Sequence, residues 1–348
     1  MDEIFVPPNC CNIGDVLSDD VTNNMGITIV AKNTIVNQYI KDKFIELQIP
    51  CIWLCQPAEL LSQHKNEVEF KATKETYKDV VLYLTGILND LAVGGKMDYE
   101  KSISISKDMV GEIKDCSHII KCLTEIRTAD EYTYSHSVNV ALYSMLIAKW
   151  LDLPEDTIQE VIKAGLLHDI GKAKIPDEIL NKNGKLTPEE FDIMKKHPIY
   201  GYDLIKDISY ISEDVKGAVL SHHERIDGSG YPNGDLDDSI SLLAKIVSVA
   251  DVYDAMTQNR VYKNRASPFE AFELFLTIGK QIFDGTVLNA FMKNIPAFYI
   301  GADVALSNGD VGQIVYIPPQ DILNPIINVG FNYIDLSQES NLKVLSLL

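Results

Sequence analysis

The sequence of 348 residues contains few cysteines and no long apolar run. Its six cysteines all lie before residue 123, and their sparse placement does not resemble a disulfide framework. Cys51 and Cys55 have no second cysteine or histidine pair at zinc spacing nearby, so we expect reduced thiols. Apolar runs such as Val80 to Leu84 are far shorter than the roughly 20 residues that cross a bilayer. We therefore expect no membrane insertion.

Positive charge is also scarce, with 31 Lys and Arg against 50 Asp and Glu and a formal net charge of −19. A nucleic acid polymer would be repelled over most of such a surface, so we expect no polymer partner. A small anionic ligand would need metals or a few well-placed cations around it. The start Met1-Asp2-Glu3 lacks the pattern of a signal peptide, and we expect a cytoplasmic protein.

Hydrophobic periodicity predicts a mainly α protein in four segments. Residues 1–66 form a small α/β accessory domain, with strands at Gly26–Val30 and Cys51–Leu54 and a helix ending near Leu47. Residues 67–127 form a helical connector, whose apolar stripe from Tyr77 to Leu91 also suits a homodimer interface. Residues 128–298 form a helical bundle, and residues 299–348 a small β appendix with a hairpin turn at Asn308-Gly309.

Helix signals are clearest in the third segment. Thr187-Pro188-Glu189-Glu190 predicts a capping box, and Gly171 is a plausible C-cap for the helix before it. Apolar spacing predicts helices at His136–Leu151, Pro154–His168, Asp214–His223 and Leu242–Met256.

Five of the seven histidines lie in this helical segment, together with two suggestive aspartates. Asp169 emerges where a helix ends, and Asp251 lies on an apolar helical stripe, where a carboxylate is costly unless it is paired or bound to metal. Imidazole and carboxylate suit iron, manganese or zinc, and one carboxylate can bridge two ions. The alternative is that each buried histidine is an ordinary core residue and that Asp251 belongs to an ion pair. The candidate ligands are His136, His168, Asp169, His197, His222, His223 and Asp251.

Four stretches resemble the HD-GYP subgroup of the HD phosphohydrolases, and they occur in the family's order. They are Asp130–Ser137, His168–Lys172, His222–Pro232 and Ala250–Thr257. The resemblance implies a helical bundle around a metal centre that opens cyclic dinucleotides, usually cyclic di-GMP, to pGpG or GMP. We therefore expect an enzyme, a cyclic dinucleotide phosphodiesterase.

The resemblance also implies the metal ligands. His136, His168, Asp169 and Asp251 would hold one ion, and Asp169 would bridge to a second ion held by His197, His222 and His223. Tyr132 stands where members with a third metal carry a glutamate, so we expect two divalent ions, iron or manganese. Two such ions would generate the attacking hydroxide from a bridging water.

Substrate contacts follow from the same resemblance. Asp169 and Lys172 would be catalytic, and Lys172, Arg260, Lys263 and Tyr231 would contact the substrate. The loop Gly228–Pro232 is a tight turn that would shape access to the site and dock GGDEF-domain proteins. The alternatives are another cyclic dinucleotide such as cyclic GMP-AMP, or a receptor that binds cyclic di-GMP without hydrolysing it.

Overall fold

The structure is a computed structural model that describes residues 4–8, 11, 13–22, 27–47, 49, 51–55, 132–257, 267–330, 332–339 and 341–348. The chain divides into two compact units, one from residues 1–67, 267–272 and 292–348 and the other from residues 68–266 and 273–291. The predicted stripe from Tyr77 to Leu91 lies outside the described residues. The predicted boundaries at residues 66, 127 and 298 stay predictions.

The described residues of the N-terminal segment form short strands and one helix, as the sequence predicts. The strands are β1 (Ile4–Val6), β2 (Val21–Thr22), β3 (Thr28–Val30) and β4 (Ile52–Leu54), paired antiparallel as β1 with β4 and β2 with β3. Helix α1 (Gln38–Glu46) starts after Asn37, whose side-chain oxygen accepts a hydrogen bond from the backbone N–H of Ile40 at 2.7 Å.

The C-terminal segment is an antiparallel sheet with strand order β8-β7-β6-β5-β9. Its strands are β5 (Asp303–Leu306), β6 (Val311–Tyr316), β7 (Ile326–Val329), β8 (Asn332–Asp335) and β9 (Val344–Leu347). The hairpin predicted at Asn308-Gly309 joins β5 to β6, and Gly309 has a φ of 90°, which favours glycine.

These two terminal segments share one hydrophobic core. Val315 and Tyr316 of β6 and Ile326 of β7 are buried in the same cluster as Ile40 and Phe44 of α1. The Tyr333 hydroxyl also donates a hydrogen bond to the backbone carbonyl of Ile35 at 3.2 Å. The β strands after residue 299 therefore complete a core that the N-terminal segment begins.

Most of the helices of the described residues lie between residues 132 and 294. These are α2 (Tyr132–Trp150), α3 (Glu155–Leu167), α4 (Asp177–Leu180), α5 (Pro188–Met194), α6 (His197–Ile205), α7 (Glu213–Ser221) and α8 (Leu242–Thr257), followed by α9 (Pro268–Leu274), α10 (Lys280–Ile282) and α11 (Gly285–Asn294). A 3-10 turn spans Ile170–Lys174, and a π turn at Phe275–Gly279 joins α9 to α10. The four helices predicted from apolar spacing are confirmed as α2, α3, α7 and α8. No helix in the described ranges is long and apolar enough to span a bilayer.

Helix α2 is the centre of the second unit, because every residue from 137 to 148 is buried. It packs against α3 and α8, and α7 packs against α3, α6 and α8. The rings of Tyr143 on α2 and Tyr253 on α8 meet edge to face at 5.1 Å, and Tyr253 meets Phe291 in the same way at 4.8 Å. A helix that is buried all round is held by its neighbours rather than by amphipathicity.

The predicted capping box at the start of α5 is confirmed. Thr187 accepts a hydrogen bond from the backbone N–H of Glu190, and the Glu190 carboxylate accepts one from the Thr187 N–H at 2.7 Å. The Lys182 ammonium also pairs with Glu190 at 2.6 Å. Helix α5 therefore has a fixed start although none of its residues is buried.

Two helical glycines allow a matched test of this packing. A Cβ on Gly165 of α3 would lie 2.6 Å from the Ala141 Cα of α2, whereas a Cβ on Gly217 of α7 would meet nothing within 4 Å. We expect Gly165→Ala to lower the free energy of unfolding by about 1–3 kcal/mol through overpacking. Gly217→Ala should raise it by up to about 1 kcal/mol through helix propensity. Thermal and urea unfolding of both variants measure this, and equal effects would contradict a close α2–α3 contact.

Candidate metal centre

The structure brings all seven candidate ligands to one place in the helical unit. Six of them lie at or next to the ends of helices: His136 lies in the first turns of α2, and His197 begins α6. His168 and His222 directly follow the last residues of α3 and α7 as their C-caps. Asp251 comes from the middle of the buried face of α8. Asp169 and His223 follow His168 and His222 directly.

Their ligand atoms form two groups, each with all atoms within 4.8 Å of one another. One group is His136, His168 and Asp251, and the other is Asp169, His197, His222 and His223. The two oxygens of Asp169 face both groups, with Oδ2 at 3.3 Å from His168 Nε2 and Oδ1 at 3.3 Å from His197 Nε2. The Asp169 carboxylate therefore contacts both groups of candidate ligands.

The backbone fixes the orientation of three of these imidazoles. In each case Nδ1 donates to the carbonyl oxygen three residues earlier: His168 to Gly165 at 2.7 Å, His197 to Met194 at 2.9 Å and His222 to Val219 at 2.9 Å. A ring that donates from Nδ1 presents its Nε2 lone pair on the other side. All three rings therefore present Nε2 to the cluster, in the orientation that a metal ligand requires.

His136 is oriented by a carboxylate. Its Nδ1 lies 2.7 Å from Oδ2 of Asp254, while its Nε2 lies 3.1 Å from Asp251. Asp254 is fully buried, and its other oxygen accepts a hydrogen bond from the Asn139 side chain at 3.0 Å. Burial alone would lower the pKa of His136, but the hydrogen bonds and charges of Asp251 and Asp254 raise it to about 10.

Asp254 was not predicted as a site residue, although its spacing from Asp251 pointed to it. Asp254 stands three residues after Asp251 on α8, so both carboxylates lie on one face of the helix. A carboxylate that holds a ligating imidazole is a common partner in metal sites. Spacing on the helix could have identified it, whereas its contact with His136 depends on how α2 packs on α8.

The electrostatics of the cluster suit a cation. Burial lowers the pKa of His197 and His222, and it lowers the pKa of His223 to about 3, so these rings are neutral at pH 7. Burial would raise the pKa of Asp169 and Asp251, but neighbouring histidines and, for Asp169, Lys172 hold both well below the usual range. Neutral imidazoles and ionised carboxylates are the forms that bind metal.

Two buried atoms of the cluster indicate that its residues are suited to bind a metal ion. Within the described part of the chain, His168 Nε2 and Asp169 Oδ1 are buried without a hydrogen-bond partner. Leaving a buried polar atom without a partner costs about 1–3 kcal/mol of folding free energy, so these two atoms require a partner that the protein itself does not supply. Both face the cluster, where a divalent ion of the borderline class would bind imidazole nitrogen and carboxylate oxygen together.

Gly171 brings Asp169 and His197 together, which corrects its predicted role as a helix C-cap. Helix α3 already ends at Leu167, and Gly171 lies in the following 3-10 turn. A Cβ at Gly171 would lie 2.0 Å from the His197 carbonyl oxygen and 2.4 Å from the Gly201 nitrogen. The absence of a side chain therefore lets the turn after Asp169 lie directly on α6.

Lys172 and Tyr231, two of the predicted substrate contacts, border the cluster, and their role stays a prediction. The Lys172 ammonium lies 2.5 Å from Oδ2 of Asp169, and its side chain remains 32% exposed. The Tyr231 ring stacks on His223 with 4.6 Å between centroids and 31° between planes. Burial, with the charges of Asp251 and Asp169, raises the pKa of Tyr231, so its hydroxyl stays protonated. The other predicted contacts, Arg260 and Lys263, lie outside the described residues.

The loop that carries Tyr231 is anchored by Glu224, which directly follows His223. The buried Glu224 carboxylate accepts hydrogen bonds from the backbone N–H groups of Asn233, Gly234 and Asp235 at 2.7, 3.2 and 3.0 Å. A Cβ at Gly230 would lie within 2.6 Å of the backbone of residues 223–225, so only glycine fits there. The loop and the cluster are thus held by adjacent residues.

Comparisons with known proteins agree with this geometry. A family model described as "HD domain" matches residues 122–287. A protein from Pseudomonas aeruginosa named cyclic di-GMP phosphodiesterase is 36% identical over 249 residues, which are 72% of this chain and 60% of that protein. One from Vibrio cholerae named 3'3'-cGAMP-specific phosphodiesterase 2 is 35% identical over 165 residues, 47% of this chain and 31% of that protein.

The motifs and the matching model together decide the family. The chain belongs to the HD-GYP family of HD-domain proteins. A solved HDG"Y"P protein from Bdellovibrio bacteriovorus has the same fold, with a TM-score of 0.54 and 16% identity over 83% of this chain and 98% of that one. The chain spans 60% of the Pseudomonas relative's length. The mainly α HD-GYP fold predicted from the sequence is confirmed.

Asp254 provides a test of the metal centre that leaves every candidate ligand in place. We expect Asp254→Asn to weaken binding of Mn²⁺ about 10- to 100-fold, because His136 loses the carboxylate that orients it. Competition with a chelator measures this affinity. The exposed Asp238 offers a control, since Asp238→Asn removes the same charge from a surface position. Equal affinities in both variants would contradict the role of Asp254.

Proposed function

We propose that the chain is a metal-dependent phosphodiesterase that hydrolyses cyclic di-GMP to pGpG, to GMP or to both. The proposal rests on the two adjacent groups of imidazoles and carboxylates. Within the described residues, His168 Nε2 and Asp169 Oδ1 of these groups are buried and have no hydrogen-bond partner. The Pseudomonas relative is named a cyclic di-GMP phosphodiesterase, which supports the reaction and the substrate.

Two divalent ions, iron or manganese, are the proposed cofactors. His136, His168, Asp169 and Asp251 would hold one ion, and His197, His222 and His223 the second, with Asp169 shared between them. The mixed nitrogen and oxygen donors support this choice of metals. Bound divalent ions acidify coordinated water and neutralise charge on a phosphoryl group.

The chain's own residues would position the substrate. The partly exposed Lys172 ammonium beside Asp169 would attract a phosphate, and the protonated Tyr231 hydroxyl would donate a hydrogen bond to an anionic oxygen. Asp254 would hold the proton on Nδ1 of His136, so that a bound metal would displace the Nε2 proton and take that nitrogen's lone pair. Arg260 and Lys263 would contact the phosphates, and this rests on their motif positions alone.

The proposed partners are a GGDEF-domain protein and a second copy of the chain. Ser229, Asn233 and Gly234 are exposed on the loop anchored by Glu224, which supports docking of a GGDEF-domain protein there. A homodimer through Tyr77–Leu91 rests on sequence periodicity. A cytoplasmic location accords with cyclic di-GMP as the substrate.

The proposal is tested by anaerobic purification, metal quantification and incubation with cyclic di-GMP and Mn²⁺ or Fe²⁺. We expect linear product from the parent protein and none from Asp169→Asn, because Asp169 contacts both groups of ligands. Asp207→Asn is the control, because Asp207 is exposed and lies two residues after the end of α6. This variant should retain full activity.

The same assay decides between substrates. The Vibrio relative's name supports cyclic GMP-AMP as the second candidate. Faster hydrolysis of cyclic GMP-AMP than of cyclic di-GMP would replace the first substrate with the second. A metal-loaded protein that binds cyclic di-GMP tightly and cleaves neither compound would instead be a receptor.

Substitution of Lys172 should mainly lower kcat. We expect Lys172→Met to lower kcat about 10²- to 10³-fold, because the variant loses a cation placed at the phosphate. Lys174→Met serves as the control, since Lys174 is an exposed lysine in the same 3-10 turn. Metal content is measured in both variants. A normal kcat in metal-loaded Lys172→Met would remove Lys172 from the mechanism.

A further inference from the structure

We propose that Phe191, with Lys195 beside it, is a stacking site for a purine base of the ligand. This rests on the proposed function, because it assigns the base of a nucleotide whose phosphate lies at the metal cluster. Phe191 belongs to α5, outside the seven candidate ligands and outside the four motifs that resemble the family.

Phe191 does not serve a hydrophobic core. It is 47% exposed, and helix α5 has no buried residue. Single exposed hydrophobic residues are common on protein surfaces, so exposure by itself carries little weight. Its surroundings decide the matter, because the capping box and the Lys182–Glu190 ion pair fix α5 and therefore the position of the ring.

The Phe191 ring continues a row of rings that begins at the metal cluster. Its centroid lies 6.5 Å from the Tyr231 ring, with an angle of 78° between the planes. Tyr231 in turn stacks on His223 at 4.6 Å and lies 6.4 Å from the His197 ring. The Tyr231 ring therefore contacts both Phe191 and the candidate ligand His223.

Lys195 adds a cation to this aromatic surface. Its ammonium lies 5.3 Å from the Phe191 ring centroid and 2.6 Å from Asp192. A cation at this distance from an aromatic ring is attracted to it, so Lys195 is held near Phe191. A lysine ammonium has three N–H donors, and the O6 and N7 acceptors of guanine are suitable partners.

Purine bases bind such surfaces by stacking, and alanine substitution of a stacking aromatic costs about 5- to 150-fold in Kd. A nucleotide would bind with its phosphate at the metal cluster and its base on Phe191. Phe191 is thus a specificity-determining residue for ligands that carry a base. The alternative is that Phe191 only supports Tyr231, in which case its loss would affect phosphate binding with or without a base.

Calorimetry with two phosphate monoesters separates these alternatives. GMP and ribose 5-phosphate share the sugar phosphate and differ in the base. We expect the Mn²⁺-loaded parent protein to bind GMP more tightly than ribose 5-phosphate. Phe191→Ala should weaken GMP binding about 5- to 150-fold and leave the Kd of ribose 5-phosphate unchanged.

Two further substitutions test the aromatic ring itself. Phe191→Trp should retain GMP binding, and Phe191→Leu should lose it although the side chain stays apolar. Tyr210→Ala is the matched control, because Tyr210 is an aromatic residue with the same 47% exposure, and it should bind GMP like the parent. Metal content and melting temperature are compared across all variants.

The proposal is overturned if Phe191→Ala weakens both monoesters equally, if it weakens neither, or if Phe191→Leu binds GMP like the parent. A parent protein that does not distinguish GMP from ribose 5-phosphate overturns it as well. None of these measurements requires turnover. A failure to hydrolyse cyclic dinucleotides would therefore be seen separately from a failure of base stacking.

Discussion

The carboxylate of Asp169 is the group on which the arrangement of the helical unit depends. Removing an ionised carboxylate from water costs several kcal/mol unless charges and hydrogen bonds replace the lost hydration. Only 9% of the Asp169 side chain is exposed, and the compensating groups come from four separate elements. They are His136 of α2, His168 at the end of α3, Lys172 of the 3-10 turn and His197 of α6. His168 and Lys172 are close to Asp169 in sequence, but His136 and His197 belong to other helices, so the full set of partners forms only when α2 and α6 have packed.

The packing in turn sets the direction of each imidazole. Because His168, His197 and His222 donate to carbonyls of their own chain segment, each ring follows the helix end that carries it. His136 differs, since its ring is held by Asp254 from another helix. A small shift of α2 against α8 would therefore move one ligand and leave the other three in place. The close contact at Gly165 and Ala141 limits such a shift on the neighbouring side of α2.

The sequence predicts the helices and the seven candidate ligands because both are encoded locally. Apolar spacing marks α2, α3, α7 and α8, and the capping box at Thr187 marks the start of α5. The role of Gly171 could not be predicted, because it depends on α6 lying 2.0 Å from the position of a missing Cβ. Asp254 and Phe191 were missed for the same reason: their partners, His136 and Tyr231, are distant in sequence. The ring stacking of Tyr231 on His223 likewise results from the fold of the loop, which Glu224 anchors through three backbone N–H groups.

The core shared by the two terminal segments has a consequence for protein synthesis. Ile40 and Phe44 leave the ribosome early, whereas Val315, Tyr316 and Ile326 follow only after the whole helical unit has been translated. Domains generally fold as units while the chain emerges. The helical unit can therefore form its core during translation. Part of the apolar surface of the first fifty residues stays exposed until the last strands have been synthesised. A chain truncated after residue 291 would contain all seven candidate ligands, but its N-terminal segment would lack its partner strands.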